Sequence, residues 1–240
     1  MDLLAGQKNN HINAEVDVVI ISFAKNSDFK NTTLECVNSL LSSEESIHFN
    51  VFIIESSSEE YPEYADHPNI KVIHPNVSFG YHRYLNIGIN LGKSEYVCLC
   101  NNDLSFKRNW ATHLIKAMEK DSALLSVSPY STIPHKTKFN LEISDRVEYG
   151  YQIRRYLAGW CIFQKRRIYE IIGPLDEDFI FWYADDDYSA TLKHHNLSHA
   201  LVLNSIVEHV ESKTLKSEDS ETRQKLTHSQ LEVFEKKWKK

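Results

Sequence analysis

Tyr96-Val97-Cys98-Leu99-Cys100-Asn101-Asn102-Asp103 decides the fold. Four apolar residues behind an aromatic one read as a strand buried on both faces, and the run stops abruptly in two amides and a carboxylate. In open α/β sheets ligands bind at the carboxyl ends of strands. Asp103 is then either a hard oxygen ligand for a divalent cation beside phosphates or the cap of the next helix. The preceding run is so apolar that burying Asn101, Asn102 and Asp103 without partners would be costly, which favours the ligand reading.

Working outward, Val16 to Phe23 (VDVVIISF), Asn50 to Ile54 and Lys71 to Ile73 read as short strands, with a helix over Asn31 to Leu41 and another over Tyr84 to Leu91. The spacing predicts a strand over Glu95 to Cys100, and the strand–helix–strand alternation predicts a parallel, doubly wound sheet. Beyond Asp103, Trp110 to Lys120 has one apolar helical face. Leu124 to Pro129, Leu157 to Phe163 and Ala200 to His209 read as strands. Lys165 to Ile172 and Asp187 to His195 read as helices, the first stopped by Gly173-Pro174. Ser131 to Gly150 is polar and poorly patterned, a candidate loop or small insertion on the acceptor side.

The expected organisation is a polar extension over 1–15, one domain over 16–215 and a C-terminal amphipathic helix over 216–240. The family resemblance that the motifs below carry implies a nucleotide-binding half (16–103) and an acceptor and catalytic half (104–215). Leu231, Phe234 and Trp238 share one face of the terminal helix, a surface for a homo-oligomer. Lys236-Lys237-Trp238-Lys239-Lys240 reads either as contact with an anionic membrane surface or as cations stabilising a helix C-terminus.

A net charge of −6, with no basic patch interleaved with aromatics, speaks against a nucleic-acid partner. Cys36, Cys98, Cys100 and Cys161 contain no C-x-x-C pair, so reduced, buried thiols of a cytoplasmic protein are expected. No h-region opens the chain and no apolar run nears the roughly 20 residues that span a bilayer. The expected location is therefore cytoplasmic or peripheral at the inner face of a membrane.

Asp185-Asp186-Asp187 follows the aromatic run Phe179 to Tyr183. Three acids suit a solvated helix start. An acid beside aromatic walls can equally have a raised pKa and act as a base. Glu55 is positioned to accept from a base or ribose, or is a loop carboxylate. His209 is a metal ligand or a structural histidine. Arg83 adds charge near phosphates or is a solvated helix residue.

In order along the chain, these segments resemble a family-2-type glycosyltransferase with the GT-A fold, over roughly Val16 to Thr214. Val18 to Phe23 looks like the first strand, whose end, Ser22 and Phe23, lies against the nucleotide. Ile53-Ile54-Glu55-Ser56-Ser57-Ser58 is similar to the second, where an acid, usually Asp, reads the base. Asn76-x-x-Phe79-Gly80, with Asn86 and Gly88, looks like the segment on the diphosphate side. Asn101-Asn102-Asp103 stands in place of the D-x-D motif, in the N-x-D form of rhamnosyltransferase-like members. Gly159-Trp160-Cys161-Ile162-Phe163 resembles the glycine-led acceptor strand. Gly173 to Phe179 resembles G-x-F/L-D-E-x-F, and Tyr183 to Asp187 resembles F-E-D-x-D, with Ala184 at the Glu. Val207-Glu208-His209, with Ser212 after it, looks like the late V-x-H segment.

The resemblance implies a Rossmann-like, mostly parallel twisted sheet with helices on both faces and a smaller acceptor-side part. It implies inverting sugar transfer with Mn2+ or Mg2+ held by Asp103 and His209. Asp185 is the implied base, with Asp186 as its alternative and Asp187 supporting. UDP-, dTDP- or GDP-sugars are the implied donors, a glycan or lipid-linked glycan is the acceptor, and surface polysaccharide or lipopolysaccharide is the product. Tyr151, Tyr156, Trp160, Trp182 and Tyr183 are aromatic enough to stack on sugars or to be core. A sugar nucleotidyltransferase would need a glycine-rich loop after the first strand, and Ser22 to Asn26 holds no glycine. A catalytically silent nucleotide-sugar-binding scaffold is the other alternative, kept open by Asn101 and Ala184.

Overall fold

A computed structural model describes residues 12–57, 67–210 and 220–239. The extension before residue 12, Ser58, Ser212 and Lys240 lie outside those residues. The strands are β1 (Ala14–Ser22), β2 (Ile47–Glu55), β3 (Ile70–Ile73), β4 (Tyr96–Asn101), β5 (Leu104–Phe106), β6 (Ser126–Tyr130), β7 (Val147–Tyr149), β8 (Cys161–Lys165) and β9 (His199–His209). The helices are α1 (Ser27–Leu41), α2 (Tyr81–Leu91), α3 (Trp110–Lys120), α4 (Tyr169–Ile172), α5 (Ala184–His194) and α6 (Ser220–Trp238). They form one sheet in the order β3-β2-β1-β4-β8-β6-β9-β5, with β7 paired to β9.

Alternate residues of the central strands feed two cores. Val18, Ile20, Cys98 and Cys100 pack on one side with Leu40 of α1 and Leu114 and Met118 of α3. Val19, Val97 and Leu99 pack on the other with Leu85 and Ile89 of α2 and Leu192 of α5. A strand buried on both faces is apolar nearly throughout, which explains the long apolar runs, broken in β1 only by the buried Asp17. Gly88 lets α2 settle on β1, because a Cβ there would stand 2.3 Å from Val19 Cγ1. Trp110 is fully buried, and its Nε1 donates to Ser43 Oγ at 2.9 Å, so its one polar atom is satisfied.

The sheet is mostly parallel, as the family resemblance implies, with β8 running antiparallel to both β4 and β6. β5 and β7 likewise run antiparallel to β9, while β1, β2, β3 and β4 remain a parallel block. Three expectations are corrected. The 131–150 stretch is not a plain loop: it holds a π-helical segment over Thr132–Lys138 and strand β7. Glu208 closes that segment, accepting Thr132 N–H at 2.9 Å and Ser131 Oγ–H at 3.1 Å. The strand expected from Leu157 begins at Cys161, and the helix expected from Asp187 begins at Ala184.

All four cysteines are free and buried. No helix among the described residues is long and apolar enough to cross a membrane. α6 is not a detached tail: Gln230 is buried, and Phe234 packs on Tyr183 with ring centroids 5.7 Å apart.

Candidate active site

The parallel register brings three strand ends to two adjacent rungs. Ser22 pairs with Glu55, and Ile21 with Asn101. Glu55 is buried there, and its Oε1 accepts Ala24 N–H at 3.0 Å and Ser57 N–H at 2.7 Å. The carboxylate therefore joins the loop after β1 to the end of β2. Ser22 Oγ lies 3.0 Å from Thr33 Oγ1, to which Asn102 Nδ2 donates at 2.8 Å. Phe23, just beyond, is exposed, with Lys25 Nζ 5.8 Å from its ring centroid.

Asp103 follows two residues after β4. β5 then pairs antiparallel with β9, placing Leu104 opposite His209. Val210 N–H donates to Asp103 C=O at 2.9 Å, closing the same corner. Asp103 Oδ1 and His209 Nε2 consequently stand 3.2 Å apart. Asp103 is 5% exposed, yet neither of its oxygens, nor His209 Nε2, finds a hydrogen-bond partner. Asp17, at the amino end of the same sheet, makes the contrast. It is 1% exposed, and its carboxylate receives Ser94 N–H at 2.8 Å, Ser94 Oγ–H at 2.7 Å, Asn50 Nδ2–H at 3.1 Å and the Arg166 guanidinium at 2.5 Å. Buried charges are normally satisfied in that way or coordinate metals. The unsatisfied Asp103 oxygens and the facing imidazole nitrogen fit a divalent cation. Among the described residues, Asp103 and His209 are the two side chains this corner brings together.

The wall beside Asp103 comes from the second half of the chain. Asn101 N–H donates to Trp160 C=O at 3.0 Å, and the Trp160 ring stacks on His209 at 5.5 Å and 16°. Tyr81 Oη–H reaches Asn101 Oδ1 at 3.1 Å and Gly159 C=O at 3.5 Å. Gly159 in turn abuts Asp185: a Cβ there would lie 2.7 Å from Asp185 Cβ and 2.8 Å from its Oδ2. Asp103, His209, Trp160, Gly159 and Asp185 are thus linked by direct contacts.

Burial first, then the neighbouring Asp186 carboxylate, pushes Asp185 up to about 6. Burial also raises Asp186, more than its bonds lower it. Asp185 Oδ1 accepts Asp186 N–H at 3.1 Å. Asp187 points elsewhere and is 2% exposed, with Oδ1 accepting Trp238 Nε1–H at 2.7 Å and Lys237 Nζ–H at 2.8 Å.

Other expected residues are engaged structurally. Asn86 is buried and bonds both ways with the Leu175 backbone, Nδ2 to C=O at 2.8 Å and Oδ1 from N–H at 3.0 Å. Arg83 pairs with Glu177 at 2.9 Å and donates to Ser78 Oγ at 2.8 Å. Gly80 opens α2, whose Tyr81 and His82 N–H groups donate to Ile180 and Phe179 carbonyls at 2.9 and 3.4 Å. Phe79 is exposed, edge-on to Tyr84 at 5.1 Å. Trp182 is partly buried, with Phe181 edge-on at 5.1 Å, and Tyr183 sits at φ 60° before α5.

Tyr81 and Arg154 escaped the sequence reading. Burial first, then the Asp185 charge, drives the Tyr81 hydroxyl far above its usual range. Arg154, at φ 70°, counteracts the rise on both Asp185 and Asp186. Tyr81 was discoverable only as the residue after Phe79-Gly80, and Arg154 carries no local signal.

The fold matches a GalNAc-T7 crystallised with UDP, GalNAc and Mn2+ (TM-score 0.64, 14% identity, 87% of this chain and 46% of that one). It also matches the mannosyltransferase PcManGT from Pyrobaculum calidifontis in complex with GDP-Man and Mn2+ (TM-score 0.61, 14% identity, 84% and 59%). A third match is TarS 1-349 of S. aureus (TM-score 0.56, 12% identity, 80% and 59%). The chain spans 46% to 59% of the lengths of these three. At such identities they establish the GT-A fold alone. No curated protein sequence matches significantly. The sequence pattern described as glycosyl transferase family 2 matches residues 17–172, from the buried Asp17 through Asp103 and Trp160 to the end of α4. With that span covering well over half of its length, the chain belongs to glycosyl transferase family 2.

Proposed function

We propose that the protein is an inverting glycosyltransferase, carrying a sugar from a nucleotide-activated donor to a hydroxyl of a glycan acceptor. One observation supports this most: the buried Asp103 carboxylate, without a hydrogen bond, faces His209 where β1, β2 and β4 end together. Asp103 and His209 would hold Mn2+ or Mg2+. A cation bound there would supply positive charge to offset that on the departing diphosphate. Two of the matched structures hold Mn2+ beside a nucleotide or nucleotide sugar, which favours the same assignment here.

Asp185 is the base. A carboxyl near 6 is ionised at neutral pH yet basic enough to take a proton. The acceptor oxygen forms its bond to the sugar C1 as its proton passes to Asp185. The bond from C1 to the phosphate oxygen breaks, and the nucleoside diphosphate leaves with the electron pair. Attack opposite the leaving group inverts the anomeric centre. Asp186 is the alternative base, and Asp187 supports both through its place in α5. Ser22, Phe23 and Glu55 border the nucleoside end, with Asn101 and Asn102 beside the diphosphate. Phe79, Gly80 and Arg83 flank the donor. Gly159, Trp160, Trp182 and Tyr183 form the acceptor side, where aromatic faces suit sugar rings. A lipid-linked glycan on the inner face of a membrane, in surface polysaccharide synthesis, is the acceptor this reading favours.

The test is release of nucleoside diphosphate from UDP-, GDP- and dTDP-sugars with Mn2+ and hydroxyl acceptors, with the product anomer read by NMR. Product of inverted configuration supports the proposal, and retained configuration overturns the direct displacement. Nucleotide binding without turnover would favour the silent scaffold.

A further inference from the structure

The turn that carries Asp185 lacks an anchor of its own. α5 starts from Tyr183 at φ 60°, and no side chain caps it. Asp185, Asp186 and Asp187 then crowd one turn with like charge.

α2 holds the approach to it, through the Tyr81 and His82 N–H groups on the Ile180 and Phe179 carbonyls, and α6 adds the anchor on the turn itself. Gln230 Oε1 accepts Ile180 N–H at 2.8 Å, and its Nε2 donates to Asp178 C=O at 3.1 Å. Phe234 packs on Tyr183 at 5.7 Å. Trp238 Nε1 and Lys237 Nζ both donate to Asp187 Oδ1, and Lys237 also reaches Asp176 Oδ2 at 2.7 Å. Burial works against the Lys237 charge, but the Asp176 and Asp187 carboxylates outweigh it and raise its pKa. Removing either donor would leave Asp187, at 2% exposure, with an undercompensated buried charge.

Helix geometry gives this grip a consequence. Residues two apart on an α-helix point about 200° away from each other. Asp187 is held outward to α6, so Asp185 is turned inward against Gly159. We infer that Lys237 and Trp238 are positioning residues for Asp185: α6 fixes the rotation of the first turn of α5, and with it the aim of the carboxylate at the acceptor hydroxyl. This rests on the proposed transferase function. It adds to that function a role for the last helix, which touches neither the Asp103 corner nor the strand ends among the contacts described above.

Lys237→Met and Trp238→Phe in the full chain test it, with Lys237→Arg as the conservative variant. A displaced base costs turnover rather than donor binding, and misplacement near 1 Å costs about a hundredfold. Both variants should lower kcat by roughly tenfold to a hundredfold. Nucleoside diphosphate affinity with Mn2+ should stay within about twofold of wild type, and Lys237→Arg should restore most of the rate. Amide hydrogen exchange, read without substrate, should quicken over 178–188 and stay unchanged over 96–101. Unaltered exchange over 178–188 overturns the anchoring whatever the activity. Unaltered kcat, or kcat and nucleotide affinity falling together with general loss of protection, overturns the positioning role. A wild-type protein that transfers no sugar sinks the transferase reading instead, while the exchange result still decides whether α6 holds the turn.

Discussion

Asp103 Oδ1 and His209 Nε2 face each other at 3.2 Å, both withdrawn from solvent and neither hydrogen-bonded. The β5–β9 ladder brings the two residues together, with Leu104 opposite His209. A buried carboxylate held this way costs folding free energy, which is tolerable where function uses it.

Asp103→Asn should therefore stabilise the metal-free protein. Removing the unpaired charge should return about 1 kcal/mol, equivalent to a melting temperature higher by roughly 2–4 °C for a chain of this size. Thermal melting in EDTA checks it. A lower melting temperature would mean that Asp103 has a structural partner in solution.

On the proposed mechanism, Asp185 should govern the acid side of the pH profile. Its carboxyl stays protonated in the folded protein up to about 6. The base form, and kcat with it, should be lost as pH falls through about 6. The stability sign runs the other way. The folded carboxyl binds its proton more tightly than the unfolded one, so ionisation in the folded state costs stability as pH rises from about 4 to about 6. Asp185→Asn should escape that cost, its stability relative to wild type growing across this window and levelling above it. Urea denaturation at several pH values measures this. The same variant should lose about a hundredfold to ten-thousandfold in kcat, with nucleotide affinity preserved.

Gly159→Ala probes the contact between the acceptor strand and the base. The added methyl would meet Asp185 Cβ at 2.7 Å, well inside van der Waals contact. Overpacking of this kind costs about 1–3 kcal/mol. The larger effect should be on kcat, because the atom that must yield belongs to Asp185, the proposed base. Wild-type turnover in Gly159→Ala would place the reacting hydroxyl away from Asp185.

Glu55→Ala removes the acceptor for Ala24 and Ser57 N–H groups in a buried corner. Two stranded amides should cost about 1–3 kcal/mol or more and loosen the loop after β1. Donor KM should rise more than kcat falls. Steady-state kinetics over a range of donor concentrations separates the two.

How far the sequence reveals this molecule depends on the range of the forces involved. β1, β2 and β4 show as long apolar runs because both faces are buried, and each ends in a polar residue at the site. α3 is legible from Trp110 to Lys120 by its apolar face alone. The direction of β8 is not, since a strand's polarity is set by how the chain returns to the sheet. β5 and β7, three residues each, are too short to have a period. The pairing of Asp103 with His209 is created by β5, so no spacing encodes it, and only the likeness to a family brought the two together. The same holds for Tyr81 beneath Asn101 and for the grip of α6 on Asp187, both made by tertiary packing.

The most direct measurement is calorimetric titration of the protein with UDP, GDP, dTDP and CDP, each with and without Mn2+, in wild type and Asp103→Asn. The account predicts that one of these nucleotides binds tightly only when Mn2+ is present, and that Asp103→Asn loses the dependence on the cation. Binding by none of the four in a folded sample, or binding indifferent to both Mn2+ and Asp103, would contradict it.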